Sequence, residues 1–142
     1  MTGINAINTA VYKLLKNDET LAGLCSIYKG TKRPGNAVNP SVTVDTRHLE
    51  AGQGGGIWMC DVVVTAYVNM LANRAADHET HENIVSCVKK VLADAEIELA
   101  DAKALPLIEG ESTGPDWLGS HENETSQEST FGLVFVDFGK NT

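Results

Sequence analysis

The 142-residue sequence lacks the segments by which membrane and secreted proteins are recognised. No apolar run approaches the ~20 residues that a helix needs to cross a bilayer, so we expect no membrane contact. Residues 1–5 contain no basic segment and lead into no long apolar one, so no signal peptide is expected. The three cysteines, Cys25, Cys60 and Cys87, are widely spaced and odd in number, which argues against a disulfide framework and favours a reducing compartment.

Basic residues are scarce, and their distribution is uneven. The formal net charge is −8, and no Lys or Arg occurs between Ala104 and Gly139. Residues 1–50 hold six bases and four acids, whereas residues 51–142 hold five bases and fifteen acids. Because nucleic-acid binding needs a basic footprint, we expect no direct recognition of nucleic acid. The asymmetry favours either simple solubility or a polar subunit whose basic end meets the acidic end of a neighbour.

Catalytic motifs are also missing from the sequence. His78 and His81 lie three residues apart, whereas the helix of a zinc protease needs two histidines four apart. The glycine segment Gly52–Gly56 lacks the Gly-Lys-Ser/Thr ending of a phosphate loop and precedes a strand, so it predicts a flexible connection between strands. We therefore predict no catalytic residue, no cofactor and no metal. A small metal-dependent enzyme using His78 and His81 is kept as an alternative.

Hydrophobic periodicity predicts the secondary structure. Spacings of three and four residues predict helices, and alternation predicts half-buried strands. The predicted helices cover Ile4–Leu15, Glu19–Leu24 with Asp18 as its N-cap, and about Ala75–Ala93; the predicted strands cover Ile27–Tyr28, Ser41–Arg47, Ile57–Asn69, Leu105–Ile108 and Phe131–Phe138. A loop is predicted around Pro34–Pro40, and residues 109–128 form an acidic loop or mobile hairpin.

This order of elements predicts an α+β fold in a single domain spanning residues 1–142. We expect a mostly antiparallel sheet of about four or five strands, with two main helices packed on one face. We expect the interface with partner proteins in loops, at positions where apolar side chains stand among polar residues. The candidate interface residues are Arg47, Gly52, Gln53, Gly54 and Gly55 in one loop, and Trp117 and Leu118 in another.

The sequence resembles the tail-completion or tail-terminator proteins of long-tailed bacteriophages and prophages. The features that match span nearly the whole chain: the helix ending in Val11–Leu15, then Asp18–Leu24, Ile27–Tyr28 with a proline-bearing loop, Asn39–Val44, the strand Asp61–Val68, the histidine-bearing helix to Leu92 and the closing apolar strand. The chain departs from shorter members of that family by its acidic segment Glu109–Glu128.

The resemblance implies a non-enzymatic subunit of a virion tail or neck. Such a subunit assembles with copies of itself as a ring, commonly a hexamer, that caps the tail tube and joins it to the head connector. The tail-tube protein and the connector proteins are then its partners, and the host cytoplasm is where it assembles. A head-side connector or stopper protein is a close alternative, and a bacterial interaction module with an unrelated partner is another.

Overall fold

The helices and strands follow the predicted order, with two strands more than the sequence pattern indicates. The structure is a computed structural model that describes residues 3–30, 40–52, 54–69, 75–112, 116–118 and 121–138. Its helices are α1 (Ile4–Asn17), α2 (Glu19–Leu24) and α3 (Ala75–Leu92). Its strands are β1 (Ser26–Lys29), β2 (Ser41–Ala51), β3 (Ile57–Asn69), β4 (Ala102–Ala104), β5 (Ile108–Ser112), β6 (Asp116–Leu118) and β7 (His121–Asp137).

All the described strands belong to one curled sheet. Its order is β1-β2-β3-β7, and β4, β5 and β6 lie end to end along the remaining edge of β7. The sheet is therefore five strands wide. Strand β1 runs parallel to β2, and the other pairings are antiparallel. The α+β class and the single domain are confirmed, but the sheet is mixed, because the parallel β1 was not foreseen.

The core lies between the helices and one face of the sheet, the inner face. Alternate residues of β3 face it, from Cys60 to Val68, and the first two of them pair with Leu133 and Phe131 on β7. Each fully buried aromatic or aliphatic side chain stabilises the fold by about 1.5–3 kcal/mol relative to exposure. The helices contribute the rest of this core: Ile7, Val11 and Leu15 from α1, Leu21 from α2, and Ile84, Val88 and Leu92 from α3.

Local sequence signals determine where α1 and α2 begin and end. The Oδ2 atom of Asp18 accepts a hydrogen bond from the backbone N–H of Leu21 at 2.9 Å, so the predicted N-cap is confirmed. Asp18 also ends α1, because its extended backbone cannot continue a helix. Asn8 on α1 is buried and accepts a hydrogen bond from the hydroxyl of Thr46 on β2 at 2.7 Å, which joins the helix to the sheet.

Two strand predictions were wrong. The strand predicted for Leu105–Ile108 is divided: β4 ends at Ala104 and β5 begins at Ile108. Pro106 has no N–H to donate, and Leu107 instead exchanges backbone hydrogen bonds with residues 94 and 95. The closing strand, predicted from Phe131, begins ten residues earlier at His121. Its polar first half pairs with β3 through backbone hydrogen bonds, which hydrophobic periodicity does not detect.

Within residues 109–128, β5, β6 and the first part of β7 are strands, and β6 and β7 form a hairpin. The predicted loop at Pro34–Pro40 lies, apart from residue 40, outside the described residues. None of the helices in the described ranges is long and apolar enough to span a bilayer.

Candidate interaction surface

The face of the sheet that points away from the helices, the outer face, carries a group of exposed apolar side chains. Met59 on β3 is the cross-strand partner of Val134 on β7, and Leu105 donates its backbone N–H to the carbonyl of Val134. Val136 lies one outward position further along β7, and Ile108 on β5 pairs with residue 132. We call these five residues the outer-face patch.

Exposure distinguishes the outer-face patch from the core. Leu105 and Ile108 are 55% and 64% exposed, and Met59 and Val136 are about 40% exposed. A contiguous apolar surface rimmed by polar groups is typical of a protein–protein contact, because leaving it in water is unfavourable. Alternation along the strands places these side chains on one face, since inward neighbours such as Leu133 and Phe135 are fully buried.

A glycine forms a shallow concavity in this face. Gly132 lies between Asp61 and Ile108 in adjacent strands, and its lack of a side chain leaves a depression of about 270 Å³. A Cβ added to Gly132 would be 3.9 Å from the Ile108 carbonyl oxygen, which is an ordinary contact distance. The depression is therefore available to a partner's side chain and is not required by packing within the chain.

Charged groups rim the same face. Arg47 contacts two carboxylates, with its Nε 3.4 Å from Asp45 Oδ2 and its Nη1 3.4 Å from Glu128 Oε2. His48 Nδ1 lies 2.8 Å from Asp61 Oδ2. Such exposed pairs contribute little to folding, so their chief effect is to set the charge pattern that a partner meets.

A β-bulge positions His48, and the sequence pattern did not reveal it. The pairing of β2 with β3 shifts between Arg47 and Glu50, and His48 adopts a φ of +59° that is uncommon for a residue with a side chain. The extra residue turns the imidazole toward Asp61. The only sequence signal was the polar run 45–48, which interrupts the apolar alternation of the strand.

The predicted loop from Arg47 to Gly56 is mainly a strand and a tight turn. Strand β2 continues to Ala51, so Arg47 is a strand residue of the outer face. The N–H of Gly52 donates to the carbonyl of Ile57 at 2.7 Å, which closes the hairpin between β2 and β3. Gly54 has a φ of +98°, Gly55 is exposed, and Gln53 lies outside the described residues.

The two halves of the predicted interface lie at opposite ends of β7. Trp117 pairs with Thr125 and Leu118 with His121, whereas the glycine turn adjoins the other end of β7, where the N–H of Asp137 donates to the carbonyl of Gly56. Thr125 and Val136 are eleven positions apart, a path of roughly 36 Å along the strand at 3.3 Å per residue. Trp117 and Leu118 are described by their backbone alone, so an interface that includes them stays a prediction.

The histidines of α3 do not form a recognisable site in the part of the chain that the structure describes. His81 is 2% exposed within the core layer, and the side chain of His78 lies outside the described residues. Among the described residues, no group of three or more His, Cys, Asp or Glu side chains is arranged to hold a metal ion.

The thiols are poor nucleophiles. Burial, followed by the proximity of Cys87, raises the pKa of Cys25 to about 12, and burial, followed by the charge of Asp61, raises the pKa of Cys60 to about 11. The pKa of Cys87 is raised too, first by burial and then by its hydrogen bond to Asp18. Because the thiolate is the reactive form, these shifts oppose catalysis by a cysteine.

A larger groove of about 580 Å³ separates α1 from residues 96–100. Its lining includes Ala6, Ala10 and Leu99 together with Lys13 and Glu96. The lining combines apolar side chains with isolated charges, which is typical of a surface groove and not of a catalytic pocket.

Comparison with known proteins agrees with this architecture. No protein-family model matches the chain, and no curated protein matches it in sequence. A solved structure with a similar fold is a chain of the virion of a native gene transfer agent particle, with a TM-score of 0.76. The alignment covers 93% of this chain and 96% of that chain at 18% identity, so it shows a shared fold over nearly the full length of both.

Proposed function

We propose that the chain is a structural subunit of a phage-like particle, and specifically a tail-completion or tail-terminator protein. The observation that carries the proposal is the agreement between two independent lines. The sequence resembles tail-completion proteins along nearly its whole length, and the fold is shared with a virion chain of a gene transfer agent over 96% of that chain. Particle subunits act through surfaces, and the main exposed feature here is the outer-face patch with its charged rim.

The subunit acts as a closed ring, in this proposal a hexamer, that caps the tail tube and joins it to the head connector. A contact between two different surfaces of the chain closes into a ring when it is repeated by rotation. The uneven charge suits such a contact, because a basic region can face an acidic region of the next copy. Its partners are then other copies of itself, the tail-tube protein and the head–tail connector, within the virion or in the host cytoplasm during assembly.

The direct test of this function is a capping assay. Purified tail-tube protein is polymerised with and without the chain, and tube lengths are measured by negative-stain microscopy. We expect shorter tubes of more uniform length with extra density at one end, because a capped end adds no further subunits. Unchanged lengths with no density at tube ends would contradict the capping function. Binding to isolated head connectors without binding to tubes would instead identify a head-side connector or stopper.

A further inference from the structure

The two margins of the described sheet differ in charge, because one carries Lys29 and the other carries Glu109, Glu111 and Asp116 beside Lys103. Strand β1 forms one margin, and the row of β4, β5 and β6 forms the other. We propose that β1 of one copy pairs with β5 of the next copy, so that the sheet continues from subunit to subunit. This inference rests on the proposed function, because it names the contact that closes the ring.

Strand β5 is the more exposed of the two margins. All five of its residues are exposed, and its pairing in the described sheet is with β7 on one side. An edge strand presents backbone N–H and carbonyl groups that can pair with another strand. Ile108, the first residue of β5, also belongs to the outer-face patch, so a strand added here would cover apolar surface as well as form hydrogen bonds.

Charge determines which strand fits this edge. Strand β5 carries Glu109, whose Oε2 lies 4.0 Å from Lys89 Nζ, and Glu111, which forms no ion pair with any residue in the described ranges. Strand β1 carries the exposed Lys29, whose amino group contacts the Thr9 hydroxyl at 3.2 Å and lies 5.8 Å from the centroid of the Tyr12 ring. Residues 32 and 33, which follow β1 in the sequence, are also basic. A β1 edge therefore offers positive charge to a negative β5 edge.

The same charges disfavour symmetric contacts. Pairing β5 with β5 would place the carboxylates of Glu109 and Glu111 against their copies, and pairing β1 with β1 would oppose two lysines. Like charges directly opposite each other in a sheet are destabilising. Only the unlike pairing is attractive. An unlike contact between identical chains is heterologous, and it generates a ring, not a twofold dimer, when the rotation between copies closes.

Strand direction is compatible with this pairing. Strands β1, β2 and β7 run in the same direction. Strands β3 and β5 run in the opposite direction. Strand β5 is therefore antiparallel to β1. When neighbouring copies keep the same orientation around a ring axis, β1 of the next copy meets β5 in the antiparallel sense, the more stable arrangement. Tyr28 of that copy would then lie on the same face as Ile108 and extend the outer-face patch.

The test uses charge reversal and mixing. Lys29→Glu makes both margins acidic, and Glu111→Lys leaves β1 basic while reversing the charge at Glu111. Each variant alone is expected to weaken assembly by roughly tenfold, because the charges of the two margins then complement each other less well. An equimolar mixture of the two is expected to restore assembly, since each margin then finds an opposite charge on the other variant. The double variant Lys29→Glu/Glu111→Lys should assemble like the original chain.

Lys16→Glu on α1 and Glu98→Lys beyond α3 are matched controls, because both residues are exposed and the changes in net charge are the same. Assembly is measured by light scattering in solution and by end density on tail tubes, with circular dichroism confirming folding. Single variants that assemble like the original chain, or a mixture that stays dissociated, would overturn the β1–β5 contact while leaving the proposed function intact. If the original chain neither forms rings nor caps tubes, both the contact and the proposed function are wrong.

Discussion

At the scale of single residues, a polar contact stabilises a junction inside an otherwise apolar layer. Asn8 and Thr46 are 6% and 3% exposed, and their side chains are joined by a 2.7 Å hydrogen bond between α1 and β2. Burying such groups is favourable only while each has a partner, because neither can recover its lost contacts with water. The pair therefore fixes the position of α1 on the sheet more specifically than aliphatic contacts can.

Asn8→Ala should lower the free energy of unfolding by about 1–3 kcal/mol, because the Thr46 hydroxyl loses its acceptor in a buried position. Thr46→Val should have a similar effect, and the double variant should lose less than the sum of the two. Urea unfolding measures all three, and Thr20→Val at an exposed position of α2 is the control. Strictly additive losses would show that the two side chains are not coupled.

Thiol reactivity is a second property at this scale. Burial raises the pKa of Cys25 to about 12 and of Cys60 to about 11, so at pH 8 both thiols are protonated in the folded chain. Iodoacetamide should therefore alkylate them far more slowly in the native chain than in urea, where the pKa values return toward 9.0. Mass spectrometry of peptides after timed alkylation measures this, and equal rates in both states would contradict the burial of the two thiols.

At the scale of elements, the sequence predicts the helices and strands in which the buried residues are apolar and the exposed residues are polar. Strand β3 has the predicted bounds, Ile57–Asn69, and α2 begins at the predicted cap, because apolar alternation and an N-cap are local signals. The first half of β7 was missed because residues 121–130 are polar, and their pairing with β3 is a property of the folded sheet. Strand β1 was predicted at Ile27–Tyr28, but its parallel pairing with β2 was not foreseen, because pairing direction is not encoded in four residues.

The candidate site was less predictable than the fold, for a related reason. The outer-face patch is assembled from β3, β4–β5 and β7, which are distant in sequence, and exposure of Leu105 or Ile108 depends on which face of the sheet the helices cover. Sequence patterns indicated loops as interface instead. In the structure the strand predicted to end at Arg47 continues to Ala51, and the backbone of Trp117 pairs with the end of β7 that is far from the glycine turn.

The turn between β2 and β3 provides a prediction at this scale. Gly56 has a φ of +76°, and a Cβ there would be 2.9 Å from the carbonyl oxygen of Asp137. Gly56→Ala should therefore lower the free energy of unfolding by about 1–2 kcal/mol or more, the cost of a left-handed conformation for a residue with a side chain. Gly55→Ala is the matched control, because nothing lies within 4 Å of its added Cβ. Equal thermal unfolding midpoints for the two variants would show that the strain at Gly56 is absent.

At the scale of the whole molecule, the inner face of the sheet is used for folding, and we propose that the exposed part of the outer face is used for assembly. The helices cover the inner face, whereas the outer-face patch, the charged rim and the β5 margin stay exposed. In a closed ring, each subunit first folds its own core and then contacts its neighbours. It therefore needs exposed surface that its core does not use. The fold shared with a gene transfer agent virion chain is consistent with that use.

The most direct test of this account is the mass of the protein in solution, measured by light scattering after size exclusion over a concentration series, with negative-stain images of the largest species. We predict closed rings of about six 15.2-kDa subunits, a mass of about 91 kDa, with monomers increasing on dilution. A 15.2-kDa monomer at every concentration, which also fails to associate with purified tail tubes, would contradict the account.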